Sequence, residues 1–201
     1  MPVFSDRQIM DLLKTKRVII HPILAFSQIQ GAKVDLRLSN VVYLIKYFEQ
    51  PYYDPKKMGE EVKYGERKQL SFGKREFILQ PGDFAIAPLL ERVRLPDNVI
   101  GRIDGRSSLG RLGIIVHATA GGVDPGYSGQ IICELSNLGK IPVALYPLMR
   151  IASMTLETLS SSSMSPYEAR PERKYRDQLY TRLSQDYEFK TKILDTVDKN
   201  L

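Results

Sequence analysis

Apolar and polar positions follow two different periods along this chain, and the change of period marks its organisation. Near the start the period is helical. Ser5 followed three residues later by Gln8 forms a capping-box pattern, and Ile9, Leu12 and Leu13 supply an apolar stripe. A short helix over residues 6–15 is predicted. Beyond it the period falls to two. Val34, Leu36 and Leu38 alternate with Asp35 and Arg37, as a half-buried strand should, and residues 41–45 (VVYLI) form a second β-rich run. Residues 51–69 are polar and punctuated by Pro and Gly, which predicts a long surface loop or hairpin insert.

From residue 76 onward, short apolar runs arrive with turn signals between them. Phe77-Ile78-Leu79 precedes Pro81-Gly82-Asp83 and then Phe84-Ala85-Ile86-Ala87; Val93 and Leu95 precede Pro96-Asp97-Asn98 and then Val99-Ile100. Further runs follow at 114–116, 131–135, 143–146 and 151–156. Many short strands at close spacing predict a mainly β fold, whether sandwich, jelly roll or barrel. Four serines at 160–163 read as a flexible joint. Residues 165–178 are dense in Arg, Lys, Glu and Tyr, and Phe189, Ile193, Leu194 and Val197 recur at helical spacing in 184–198. The chain thus divides into a β domain, 1–160, and an arm with a terminal helix, 161–201. No internal repeat is visible.

Composition narrows the chemistry. A length of 201 residues suffices for one sizeable core but is short for two ordinary domains. Lys and Arg number 29 against 23 Asp and Glu, a formal charge of +6 with a pI near 9.3. That surplus suits an anionic partner. The single cysteine, Cys133, excludes an intramolecular disulfide. With His21 and His117 as the only histidines, no Cys/His zinc site can be assembled, which excludes the zinc-dependent nucleobase deaminases. A Ser-His-Asp or Cys-His nucleophile is not excluded by count. The first ten residues lack a basic start and an apolar stretch, and no run of about 18 apolar residues exists. The expected location is the cytoplasm, with no membrane partner.

The most informative stretch is residues 101–137, GRIDGRSSLGRLGIIVHATAGGVDPGYSGQIICELSN. Ser107 and Arg111 stand four apart, so one helical turn would put them on one face. With Arg106 and Ser108 they offer the guanidinium and hydroxyl donors that a polyphosphate needs. A solvated basic turn between strands fits the same residues. Residues 119–129 carry four glycines and a proline, which suits a hairpin in unusual backbone angles. Asp124 could accept from a ribose hydroxyl, or simply start a turn before Pro125-Gly126. In 130–137, Ile131, Cys133 and Leu135 take one face of a strand, and Gln130, Ile132, Glu134 and Ser136 the other. Glu134 is then either a solvent-facing residue or a carboxylate lining a pocket, where desolvation would raise its pKa. Cys133, on the apolar face, reads as a small core residue.

Three strings in order, DGRSSLGRLG (104–113), HATAGGVDPGYSG (117–129) and ELSN (134–137), resemble the dCTP deaminase branch of the dUTPase superfamily. FSDRQI (4–9) and GAKVDLRLSN (31–40) are similar to that family's N-terminal helix and first strands, and SPYEARPERKYRDQ (165–178) to its nucleotide-closing segment. The resemblance covers about residues 3–180. It implies a distorted β-barrel or jelly roll assembling as a homotrimer with sites between subunits. It also implies zinc-independent hydrolysis of the 4-amino group of dCTP to give dUTP and ammonia.

Carried over by position, Glu134 matches the general base and proton shuttle, and Ser107 and Arg111 match the Ser and Arg that support water and substrate. Arg106, Ser107, Ser108, Leu109, Gly110 and Arg111 match the triphosphate loop. Thr119 and Ala120 lie in the substrate-binding motif, and Asp124 matches the residue that meets the deoxyribose 3′-hydroxyl. Ile132, Cys133 and Glu134 match the strand that reads the base edge. Tyr167, Lys174 and Gln178 match the arm that closes over the phosphates. Mg²⁺ is expected on the triphosphate rather than in a protein cage, and dTTP is a candidate inhibitor.

Gly121 departs from strictly deaminating members, which typically carry His after Thr-Ala; Thr-Ala-Gly is closer to bifunctional members that release dUMP and pyrophosphate. Against that, Arg150-Ile151-Ala152-Ser153 lacks the Ile-Gly-Gln often found in those enzymes. The sequence reading is deamination alone, with the bifunctional activity as its alternative. Glu134 and the KYRDQ arm argue against a plain dUTPase. A nucleic-acid-binding barrel would need exposed aromatics interleaved with its basic residues, and no nucleic-acid partner is expected.

Overall fold

A computed structural model describes residues 2–46, 65–71 and 76–171. The chain opens with helix α1 (Asp6–Lys14), whose Ser5 cap accepts from Gln8 N–H while the Gln8 side chain reaches back to the Ser5 N–H. Its stripe buries Ile9 and Leu12. Thirteen strands follow among the described residues: β1 (Ile19–His21), β2 (Ile29–Gln30), β3 (Lys33–Arg37), β4 (Val41–Ile45), β5 (Gly65–Gln69), β6 (Phe77–Leu79), β7 (Phe84–Arg94), β8 (Val99–Gly105), β9 (Ile114–Ile115), β10 (Gly122–Val123), β11 (Ser128–Asn137), β12 (Val143–Leu145) and β13 (Arg150–Thr158). A one-turn helix, α2 (Ser107–Gly110), links β8 to β9.

These strands form two main sheets of jelly-roll character. One runs β5-β4-β7-β11-β9 with β1 also on β7, the other β10-β8-β13-β3-β2, and β12 pairs with β6. One continuous apolar core joins them, including Leu36, Leu38, Leu89, Leu135, Ile151, Met154 and Leu156, all fully buried. Each such side chain contributes roughly 1.5–3 kcal/mol of burial free energy, which is what holds the sheets face to face. No helix among the described residues is long and apolar enough to cross a membrane.

The mainly β reading therefore stands, with differences in detail. Residues 65–69, within the stretch read as a surface loop or hairpin insert, form a strand antiparallel to β4; residues 51–64 lie outside the described residues. The runs at 84–87 and 93–95 belong largely to one eleven-residue strand, β7. Pro88 is accommodated beside a bulge in β11 between Gln130 and Ile132, where the Gln130 amide donates to Leu89 O at 3.1 Å. Residues 119–129 do not form a hairpin: β10 pairs with β8 and β11 with β7, so this segment carries the chain from one sheet to the other. The serine run is also tied down, because Leu159 N–H donates to Asn98 O and Ser163 N–H to Asp97 O, both at 2.9 Å.

Candidate active site

The strand β11 alternates as its sequence requires. Ile131, Cys133 and Leu135 are buried, while Ile132, Glu134 and Ser136 lie on the other face, half-buried. At its end β11 pairs with β9, Ser136 opposite Ile115 and Asn137 opposite Ile114. Continuing that antiparallel register by two residues sets His117 opposite Glu134. His117 Nδ1 lies 2.6 Å from Glu134 Oε2, and Ala118 N–H donates to the same oxygen at 3.3 Å. An ionised carboxylate only accepts, so the hydrogen of this contact sits on Nδ1. Glu134 Oε1 makes no hydrogen bond to another described residue. Sequence reasoning counted His117 but gave it no place in the site; the pairing of β9 with β11 is what brings it there.

Three influences set the Glu134 carboxyl. Burial, the largest single one, pushes its pKa up. The hydrogen bond and charge of His117, with the Ala118 N–H, outweigh burial and leave the pKa below the ordinary glutamate value. The expected rise is thus reversed by a partner that the sequence does not pair with Glu134. Cys133 is fully buried, and burial first, then the Glu134 charge, pushes its thiol up, so it is no nucleophile. If it meets a ligand, it does so through its backbone.

The other predicted residues fall into two further groups. Ser107, Ser108, Leu109 and Gly110 form α2, and Arg111 caps it with its N–H on Ser107 O at 3.0 Å. The helical turn that would put Ser107 and Arg111 on one face is present. Leu109 points into the core, whereas the side chains of Ser107, Ser108 and Arg111 are exposed and make no hydrogen bond to another described residue. Arg106 pairs with Asp35, which also takes Arg150 at 3.1 Å. Among the described residues no hydrogen bond or ion pair joins residues 106–111 to Glu134.

The second group lies at the sheet-to-sheet turn. Asp124 pairs with Arg170 at 2.8 Å, Tyr167 N–H donates to Pro125 O at 2.7 Å, and the rings of Tyr127 and Tyr167 lie 5.4 Å apart. Thr119 and Ala120 are exposed between His117 and Gly121. Lys174 and Gln178 lie outside the described residues, as does the predicted terminal helix. Among the described residues no three His, Cys, Asp or Glu side chains come together as a cation cage.

A profile described as dCTP deaminase-like matches residues 3–159 of this chain. The chain belongs to the dCTP deaminase-like family. A protein of Methanobrevibacter smithii named "dCTP deaminase, dUMP-forming" is 40% identical over 195 residues, 94% of this chain and 100% of that one. One of the same name from Dictyoglomus thermophilum is 46% identical, covering 88% of this chain and 90% of its own. A "dCTP deaminase" of Colwellia psychrerythraea is 43% identical, with 90% and 96% covered. In fold, the chain is similar to a crystal structure of 2′-deoxycytidine 5′-triphosphate deaminase from Agrobacterium tumefaciens, with a TM-score of 0.62 at 23% identity over 78% of this chain and 47% of that one. As a member of the family, the protein is a hydrolytic deaminase.

Proposed function

We propose that this enzyme hydrolyses the 4-amino group of dCTP and carries the product through to dUMP and pyrophosphate. The observation that carries the deaminase reading is the geometry of Glu134. One oxygen is pinned by His117 and Ala118, and the other is left for a water. In this reading Glu134 takes a proton from the water as it attacks cytosine C4, then returns one to the departing ammonia. Its lowered pKa keeps it ionised at neutral pH. A base covering Oε1 would deepen its burial, raising its basicity as the proton is needed.

Two findings favour dUMP over free dUTP as the product, and so favour the alternative over deamination alone. Near relatives over most of both chains carry the dUMP-forming name. Gly121, the position read from sequence as bulky in strict deaminases, has no room for a side chain: a Cβ there would lie 2.9 Å from Ile103 O.

The substrate's triphosphate would lie against Arg106, Ser107, Ser108 and Arg111, of whose side chains that of Arg106 alone has a partner among the described residues. Mg²⁺ would arrive on those phosphates. Because residues 106–111 are not bonded to Glu134 within one chain, a homotrimer with sites completed between subunits suits the arrangement. Asp124 would meet the 3′-hydroxyl, Tyr167, Lys174 and Gln178 would close over the nucleotide, dTTP would compete at the same site, and the enzyme would act in the cytoplasm.

The test is anion-exchange separation of products after incubation with dCTP and Mg²⁺. Appearance of dUMP and pyrophosphate without free dUTP is expected. Accumulating dUTP would restrict the enzyme to deamination. Hydrolysis of dUTP with no turnover of dCTP would remove Glu134 from its role.

A further inference from the structure

The turn between β10 and β11 and the segment after the serine run are built into one another. Gly126 has φ +77°, a conformation that favours glycine, and a Cβ there would sit 2.7 Å from Pro166 Cβ. That close approach lets Tyr167 N–H reach Pro125 O at 2.7 Å and sets the Tyr167 ring on Tyr127. The short 3₁₀ turn Tyr167–Ala169 then aims Arg170 back at the same turn. Arg170 Nη1 donates to Asp124 Oδ2 at 2.8 Å, and its Nε donates to Ser165 O at 3.0 Å. The guanidinium is therefore held at two of its edges, by the carboxylate and by the backbone of its own segment. Asp124 Oδ1 makes no hydrogen bond to another described residue.

A carboxylate used to read a hydroxyl must be turned so that one oxygen faces the ligand. Arg170 meets that need by occupying Oδ2 with a charge-assisted hydrogen bond. We propose that Arg170 is the positioning residue for sugar recognition, holding Asp124 so that Oδ1 accepts from the 3′-hydroxyl of the nucleotide. This rests on the dCTP reading given above and deepens it.

The experiment compares kcat/KM for dCTP and for 2′,3′-dideoxy-CTP in the full chain, its Arg170→Gln variant and its Arg170→Lys variant. Wild type should prefer dCTP by at least about tenfold, the usual scale for a hydrogen bond to a charged group. In Arg170→Gln the dCTP value should fall while the dideoxy value stays, so the preference collapses; Arg170→Lys should recover part of it. An equal fall for both nucleotides would make Arg170 a purely structural anchor and overturn the proposal. No change in either, or no preference in wild type, would overturn it as well. A wild-type chain that turns over neither nucleotide would instead defeat the deaminase reading, and this proposal with it.

Discussion

His117 Nδ1 and Glu134 Oε2 lie 2.6 Å apart, His117 standing two residues past the end of β9, whose pairing with β11 carries it there. The contact turns a mid-strand glutamate into an oriented carboxylate with one oxygen that bonds no other described residue. General acid–base groups of this kind contribute about 10²–10⁴-fold to rate. Glu134→Gln keeps the shape and removes the base. Ammonia release from dCTP should fall by about that factor, while dCTP affinity measured by equilibrium dialysis stays close to wild type. A variant that still turns over at near wild-type rate would mean that another group takes the proton.

His117→Ala removes the two largest influences that lower the Glu134 pKa and leaves burial, which raises it, opposed by backbone N–H groups alone. Activity needs the ionised carboxylate and is lost as pH falls through its pKa. The acid limb of the kcat profile should therefore move to higher pH in the variant, with the loss of activity largest below neutrality. A profile that only drops in height, with its acid limb unmoved, would assign His117 a role apart from the carboxylate.

Gly121 tests the product. Its carbonyl accepts from Ile103 N–H at 2.7 Å, and an added Cβ would meet Ile103 O at 2.9 Å. Both partners are strand backbone and cannot swing aside. Gly121→Ala should cost about 1–3 kcal/mol, the usual range for overpacking, read as a lower urea midpoint. Gly121→His should, in addition, let dUTP accumulate in the product assay. An unchanged dUMP yield would move control of the product elsewhere.

Glu91, fully buried on β7, accepts from Gln28 Nε2 and from Arg37 N–H, both at 2.8 Å. Burial raises its pKa in spite of Arg37. The folded state then binds the proton more tightly than the unfolded chain. This group's contribution is present below the unfolded carboxyl pKa and lost as pH rises through the folded one. Glu91→Gln should flatten that part of a stability curve measured by urea unfolding between pH 4 and 8. Glu91→Ala strands Arg37 and Gln28 and should cost about 3–5 kcal/mol. A parallel shift of the whole curve in Glu91→Gln would show that the slope belongs to other groups.

Local patterning alone determined the capped helix from Ser5 and Gln8, the two faces of β11 and the burial of Cys133. Each depends on neighbours within a few residues, so periodicity and capping chemistry suffice to specify them. The resemblance carried by three strings also marked Glu134, Asp124 and residues 106–111 before any contact was known. What the tertiary structure decided was pairing between distant segments. His117 faces Glu134 because β9 joins the edge of β11, and Asp124 meets Arg170 because Gly126 lets Pro166 approach. Pro88 and Glu91 remain inside one strand because a bulge and two side-chain amides, those of Gln130 and Gln28, stand opposite them. Side-chain period tells which face of a strand is buried, but it is indifferent to which strand lies alongside. That choice is made by the shared core, and the site is a product of it.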